Sequence, residues 1–166
     1  MYYQDSVFTL VQIMKTSAGL LPYYIDKDQL QVMLVHPGGP FYVKKDDGAW
    51  SVPKGEYTDE DPLEVAKKEF SEETGNVVSN ETFIPLGEVT LKSGKRIKAW
   101  AMKCSVKLPF INSNTFELEW PPRSGKMVAF PEVDKADWFD IKQAKEKIHP
   151  PQRKFLEQLK EILQQQ

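Results

Sequence analysis

The sequence has little of the chemistry that builds disulfides or zinc sites, because it contains one cysteine and two histidines. The single thiol, Cys104, cannot form a disulfide within the chain. His36 and His149 have no further ligand at the spacing of a zinc site, and both are predicted to be surface residues. We therefore expect a reducing, cytoplasmic setting in which oxygen atoms hold any metal ion.

Long apolar runs and an excess of charge of one sign are also absent. No stretch approaches the ~20 apolar residues of a membrane-spanning helix, and the N-terminus lacks the basic segment of a signal peptide. The 22 basic and 24 acidic residues leave a formal charge of −2. This balance argues against partners bound by general electrostatic attraction. The sequence thus predicts neither a membrane nor a nucleic acid as partner.

What remains is a globular composition, with 40% hydrophobic and 28% charged residues in a chain of 166. Such a chain is long enough to build one domain around one core, and residues 15–166 are predicted to form it. Residues 1–14 are interpreted as an N-terminal extension. They form either an added edge strand or a segment translated from too early a start, since Met14 would itself make a plausible first residue.

The hydrophobic pattern alternates between short strands and helices, which predicts an α/β architecture of the α+β type. Apolar runs predict strands at residues 18–24, 30–35, 83–91, 97–106, 116–120 and 136–139. Residues 151–163 are predicted to form a closing helix. The segment 36–50, HPGGPFYVKKDDGAW, is rich in Gly, Pro and charge, which indicates a long surface loop. Loops of that length in a compact domain tend to be functional.

The segment 61–75 has the clearest helix signals in the sequence. Asp61 can cap the helix, and Pro62 suits its first position. Glu64, three residues after the cap, is predicted to complete a capping box. Gly75 is placed to end the helix in a left-handed conformation.

Three glutamates, Glu69, Glu72 and Glu73, lie in the second half of this helix. At 3.6 residues per turn they adjoin the apolar stripe that contains Phe70. Carboxylates this close repel one another unless a cation lies among them, and Mg²⁺ or Mn²⁺ prefers such oxygen ligands. Acids that simply face water are the alternative. However, residues 53–56, interpreted as a glycine-bearing turn, can bring backbone carbonyls and a lysine to the same face.

Residues 55–75, GEYTDEDPLEVAKKEFSEETG, resemble the Nudix box, G-x5-E-x7-R-E-U-x-E-E-x-G-U with U apolar. Glu60 matches the first acid, and the three helix glutamates match the later ones. Three positions depart from the pattern: the spacer before Glu60 is one residue short, Lys68 replaces the arginine, and Asn76 replaces the last apolar residue. Val77 could serve in place of that apolar residue. Lysine lacks the planar fork of arginine, so any pairing of Lys68 with Glu60 is expected to be weak.

The resemblance implies a three-layer α/β/α sandwich with a mixed sheet and Mg²⁺ or Mn²⁺ as cofactor. It implies hydrolysis of a nucleoside diphosphate linked to another group, by attack of a metal-activated water on phosphorus. Glu69, Glu72 and Glu73 would be catalytic metal ligands, with the carbonyl of Lys54 as a further ligand. A Nudix domain that senses a nucleotide without cleaving it is the alternative, but such a domain would be expected to lose box acids.

Outside the box, Glu117 and Glu119 are candidates for a further catalytic carboxylate, because they lie on the polar side of the strand 116–120. Solvated acids on an edge strand are the alternative. The candidates for substrate binding are five basic residues and one aromatic residue: Lys44, Lys45, Lys54, Arg123, Lys126 and Trp50. A plain surface loop is the alternative for the basic residues, and core packing is the alternative for Trp50.

Residues 50–55, WSVPKG, are similar to the W-x-x-P-K-G of asymmetric diadenosine tetraphosphate hydrolases and of decapping enzymes. A chain without a basic stripe fits decapping poorly. Over residues 15–160 the chain also resembles short bacterial proteins described as predicted NTP pyrophosphohydrolases of the Nudix family, which are MutT-like. We therefore expect a small-molecule nucleotide as substrate, either a nucleoside triphosphate or a dinucleoside polyphosphate. The sequence makes no prediction of the oligomeric state.

Overall fold

The computed structural model describes residues 15–79 and 81–166, so the predicted extension 1–14 lies outside it. The strands are β1 Thr16–Asp26, β2 Gln29–Pro37, β3 Lys54–Tyr57, β4 Phe83–Thr90, β5 Arg96–Lys103, β6 Thr115–Glu119, β7 Met127–Pro131 and β8 Val133–Asp140. The helices are α1 Pro62–Thr74, α2 Ile141–Lys147 and α3 Arg153–Gln164, with a 3₁₀ turn at Pro150–Gln152. None of the described helices is long and apolar enough to cross a membrane.

Six strands form one mixed sheet in the order β4-β5-β1-β2-β8, and β3 also pairs with β1. Strand β1 is parallel to β5 on one side. On its other side it is antiparallel to two strands, to β3 near its start and to β2 near its end. The strands β6 and β7 form a separate two-stranded hairpin.

Helices cover both faces of the sheet. Leu20 of β1 belongs to a buried cluster with Ala66 and Phe70 of α1, whereas its neighbour Leu21 belongs to a second cluster with Phe155 of α3. Because successive strand residues point to opposite faces, one strand contributes to both cores. This α/β/α sandwich with a mixed sheet confirms the predicted fold.

The start of the box segment differs from expectation. The predicted turn at 53–56 is wrong, since Lys54–Tyr57 is strand β3 and bonds to the start of β1. Gly19 permits this pairing, because a Cβ atom there would lie 2.7 Å from the Pro53 carbonyl oxygen. The pairing depends on a residue 35 positions away from Lys54 in the chain, so the local pattern does not reveal it.

Helix α1 begins and ends where the sequence predicts. Asp61 accepts a hydrogen bond from the N–H of Glu64 at 3.2 Å, and Gly75 ends the helix with φ +81°. The second half of the capping box does not form. The Glu64 carboxylate instead accepts from Lys67 Nζ at 3.0 Å, because a charged partner one turn away offers a stronger bond than the cap N–H.

The residue after α1 explains one departure from the box. Asn76 is buried, and its amide donates to Thr74 Oγ1 at 3.2 Å and to the Pro109 carbonyl at 2.8 Å. A buried amide with both bonds made is stable there. Val77 is 85% exposed, so it does not replace the missing apolar residue.

His36 is in the core, and the prediction of a surface residue is wrong. It is 1% exposed, and its ring packs edge-to-face on Trp50 with centroids 5.2 Å apart. Nδ1 bonds to the Asp134 carboxylate at 2.8 Å, and Nε2 bonds to the Lys45 carbonyl at 2.6 Å. Each ring nitrogen therefore has a hydrogen-bond partner within the core. His36 therefore connects β8 to the loop that follows β2.

Candidate active site

The acids of α1 face the start of β3. The backbone N–H of Lys54 donates to Glu73 Oε2 at 3.2 Å. Glu69 lies directly against Gly55, where an added Cβ atom would overlap its carboxylate. The box glycine is therefore required by the close approach of Glu69, and not by a turn.

A third acid, Glu132, joins this group from outside the box. One carboxylate oxygen from each of Glu69, Glu73 and Glu132 lies within 4.8 Å of the others. Glu132 lies between β7 and β8, and its backbone is held on both sides. Its N–H donates to the Asn114 carbonyl at 2.8 Å, and its carbonyl accepts from the Gly38 N–H at 2.9 Å.

Glu132 is not among the residues predicted for the site, because β7 is not among the strands predicted from the sequence. Residues 127–131 pair with residues 115–119, which overlap the predicted strand 116–120, and the acid follows this second strand directly. The usable signal was the apolar segment MVAF after the turn at 121–126, which completes a hairpin and places the next residue at its base.

The electrostatics of these three carboxylates, here called the acid group, favour a bound cation. Burial raises the pKa of Glu73 to about 8, Lys54 opposes this shift, and Glu69 adds to it. Burial also raises the pKa of Glu69, and the charges of Glu72 and Glu132 add to that shift. A divalent cation would remove the cost of ionising these groups together. Carboxylate oxygens are the ligands that Mg²⁺ and Mn²⁺ prefer, so the residues fit the implied metal.

Glu72 lies at the edge of the acid group. Its carboxylate is 3.8 Å from Lys68 Nζ, and its carbonyl accepts from the Asn114 N–H at 2.9 Å. Within the described residues Lys68 makes no ion pair with Glu60, whose carboxylate accepts from the Thr58 N–H at 2.9 Å. The lysine in the arginine position thus restrains an acid one turn away on its own helix.

The two acids predicted outside the box are located elsewhere. Glu117 and Glu119 lie on β6, opposite Ala129 and Met127 of β7, and both are exposed. Neither belongs to the acid group that the described residues form. The carboxylate that joins Glu69 and Glu73 from outside the box is instead that of Glu132.

The predicted substrate-binding residues fall into three locations. Lys54 starts β3, and its charge acts on Glu69 and Glu73. Four further cations lie in two exposed segments, Lys44 and Lys45 after β2, and Arg123 and Lys126 between β6 and β7. Trp50 is 4% exposed, and its Nε1 donates to Asp46 at 2.8 Å. This burial favours the packing interpretation of Trp50, so we do not include it in the substrate site.

The family model of the NUDIX domain matches residues 16–159. This chain belongs to the Nudix family. The match covers nearly the whole range over which the sequence resembles the family, and it confirms that resemblance. With the box acids present, it also confirms the expected class, a Nudix pyrophosphohydrolase.

Solved structures share the fold. The Ap4A hydrolase of C. elegans, in a binary complex, is 18% identical with a TM-score of 0.65, covering 90% of this chain and 99% of its own. A mutT/nudix family protein from Listeria innocua is 14% identical with a TM-score of 0.60, covering 91% and 94%. The NUDIX domain of Shewanella oneidensis NrtR, complexed with ADP ribose, is 17% identical with a TM-score of 0.61, covering 89% and 87%. A search of curated proteins finds no match.

Proposed function

We propose that this Nudix pyrophosphohydrolase cleaves a phosphoric anhydride in a nucleoside diphosphate-linked substrate, with Mg²⁺ or Mn²⁺ as cofactor. The substrate is a nucleoside triphosphate or a dinucleoside polyphosphate such as diadenosine tetraphosphate. The observation that carries the proposal is the convergence of Glu69, Glu73 and Glu132 beside Lys54. Structural similarity to an Ap4A hydrolase and to a domain complexed with ADP ribose supports a nucleotide substrate.

The acid group and the carbonyl of Lys54 would hold the metal. When bound, a divalent cation offsets the charge of phosphate oxygens and lowers the pKa of a coordinated water. The Lys54 ammonium, which already acts on the acid group, binds a phosphate oxygen and offsets the charge that grows on the leaving phosphate. Glu132 serves as a ligand or as the base that accepts a proton from the attacking water.

The positions of these groups are set before substrate arrives. The N–H of Lys54 holds Glu73, Gly55 leaves space for Glu69, and two backbone bonds hold Glu132. Charges that are held in place cost no reorganisation when the transition state forms, and this electrostatic contribution is usually the largest in catalysis. The alternative of a silent nucleotide sensor is disfavoured, since all three helix glutamates of the box are present.

A substrate panel tests the proposal. Purified protein is incubated with Mg²⁺ or Mn²⁺ and with nucleoside triphosphates, diadenosine polyphosphates and ADP ribose, in isotopically labelled water. We expect release of a nucleotide from a triphosphate or a dinucleoside polyphosphate, and the labelled product identifies the phosphorus that is attacked. Release from ADP ribose alone would contradict the proposed substrate class, and release from no member of the panel would contradict the enzymatic function.

A further inference from the structure

The loop between β2 and β3 is firmly held at its middle, residues 45–48. Lys147 of α2 bridges Asp46 at 2.6 Å and Asp47 at 3.0 Å, and His36 bonds to the carbonyl of Lys45. The N–H of Gly48 also donates to a carbonyl of α2 at 3.0 Å. These contacts fix residues 45–48 on the sandwich, so the exposed residues 41–44 adjoin a fixed segment.

Residues 41–43 of this loop have exposed apolar side chains. Phe41 is 58% exposed, and Tyr42 and Val43 beside it are also exposed. The Phe41 ring packs edge-to-face against Trp120, with centroids 5.5 Å apart and planes at 84°. Contiguous exposed apolar groups of this kind indicate a contact surface. We call Phe41 and Trp120 the aromatic pair.

Trp120 extends the apolar face of the hairpin formed by β6 and β7. Phe116 and Leu118 precede it at alternate positions, and Phe116 lies opposite Phe130 across the hairpin. This face is turned towards the loop, since a Cβ atom on Gly39 would lie 3.0 Å from the Phe116 ring. The loop and the hairpin therefore form the two sides of one apolar surface.

Both sides of this surface start at the acid group. The N–H of Gly38 donates to the Glu132 carbonyl at 2.9 Å, and Glu132 directly follows β7. Three virtual bonds separate Gly38 from Phe41, so their Cα atoms are at most ~11 Å apart. The aromatic pair thus lies at the tip of the hairpin whose base carries Glu132 of the acid group.

The charges around the aromatic pair suit an anion. Lys44 and Lys45 lie in the loop, and Arg123 and Lys126 lie in the hairpin turn. Among the described residues none of these four pairs with a carboxylate, whereas the loop aspartates already pair with Lys147. An aromatic surface with unpaired cations beside it, next to carboxylates that suit a metal, is complementary to a nucleotide polyphosphate.

We propose that Phe41 and Trp120 bind the nucleobase of the substrate by stacking, while the four cations attract its phosphates. The inference rests on the proposed function and extends it, because it names the residues that distinguish a nucleotide from a phosphate chain without a base. It places base binding on two segments that are far apart in sequence. It also replaces Trp50, the aromatic residue that the sequence suggested for substrate binding, with Phe41 and Trp120.

Affinities measured by titration calorimetry with two types of probe test this inference. The probes are the four common nucleoside triphosphates with diadenosine tetraphosphate, and inorganic tripolyphosphate, which lacks a base. We expect Phe41→Ala and Trp120→Ala each to weaken nucleotide binding at least ~5-fold, because the stacking of one base on an aromatic side chain strengthens binding by about this factor or more. Binding of tripolyphosphate should not change. Phe41 is exposed, so its truncation leaves the core intact.

The matched control is Ile25→Ala. Ile25 is 46% exposed and lies six residues along β1 from Gly19, or ~20 Å at the usual rise of a strand. This variant should bind both probe types as the wild type does. Equal weakening of both probe types in the Phe41 and Trp120 variants would overturn the inference. So would nucleotide binding that is unchanged in both variants, or wild-type protein that binds nucleotides no more tightly than tripolyphosphate.

The two proposals fail separately. If the wild type binds nucleotides through the aromatic pair but hydrolyses no member of the substrate panel, the proposed function is wrong and the inference stands. If the wild type hydrolyses nucleotides and both variants retain its KM, the inference is wrong and the proposed function stands.

Discussion

The acid group at the base of the β6–β7 hairpin and the aromatic pair at its tip are built differently. Two of the three acids come from one helix, within five residues of each other, and strand β3 holds them. The aromatic pair joins a loop and a hairpin 79 positions apart in sequence. Phe41 is exposed to solvent, whereas Trp120 and the three acids are half-buried.

This difference separates the chemistry from the selection of substrate. The acids must hold fixed positions against a rigid sheet, because electrostatic stabilisation depends on groups that do not reorganise. Base stacking tolerates many bases and needs only an accessible aromatic face. A loop and a projecting hairpin can supply that face and can change without disturbing the core. If the two regions act independently, changes in the acid group should lower kcat, and changes around the aromatic pair should raise KM without changing kcat.

Glu73→Gln should have the largest effect. The change removes a charge from the acid group but keeps the side chain's size, so the rate should fall at least ~100-fold at saturating substrate. Glu64→Gln is the matched control, because Glu64 lies on the same helix and pairs only with Lys67 among the described residues. Steady-state kinetics with Mg²⁺ measure both. A Glu73→Gln enzyme as fast as the wild type would remove Glu73 from the mechanism.

Glu132→Gln tests which carboxylate outside the box takes part. A residue that helps to position or hold a metal contributes on the order of 10- to 100-fold, and we expect a loss of kcat in that range. Glu117→Gln and Glu119→Gln serve as controls, since both residues are exposed on the neighbouring hairpin. If the hairpin variants lost activity and Glu132→Gln did not, the assignment of the acid group would be wrong.

Protonation of Glu73 should make the metal-free protein more stable at lower pH. Its folded-state pKa is raised from 4.5 to about 8, so the folded state binds the proton more tightly than the unfolded state. This contribution is complete below pH 4.5 and is lost as the pH rises towards about 8. Urea unfolding with a chelator, at several pH values in this range, should show the wild type losing stability relative to Glu73→Gln. Parallel pH profiles would contradict the prediction.

Lys147→Met should have the smallest effect and should act on binding alone. It removes two ion pairs that hold the loop of Phe41. Each partly exposed ion pair contributes little to the stability of the loop, so we expect KM to rise only about threefold. The kcat should not change, because the acid group keeps its own contacts. Lys142→Met on the same helix is the control, since Lys142 is in no ion pair of the described residues. A fall in kcat would show that the two regions are coupled.

The parts that could be predicted from sequence are those whose causes are local. Asp61, Pro62 and Gly75 set the ends of α1 within the helix itself, and the spacing of its glutamates follows from helix geometry. The apolar runs likewise indicated the long strands of the sheet.

The parts that could not be predicted depend on distant partners. Glu132 enters the acid group because Gly38 and Asn114 hold its backbone. His36 is buried because Asp134 and a loop carbonyl satisfy both ring nitrogens. The identity of one residue does not reveal such partners. A histidine without a nearby ligand in the sequence is therefore expected to be exposed.

The most direct test of the central claim is the dependence of hydrolysis on divalent cation. Chelator-treated protein is titrated with Mg²⁺ at fixed nucleotide, and the initial rate is measured for the wild type and for Glu132→Gln. The account predicts no hydrolysis without the cation, a saturable rise with the wild type, and a higher concentration for half-saturation with Glu132→Gln. Hydrolysis by the chelated wild type at its full rate would contradict the claim that the acid group acts by holding a metal.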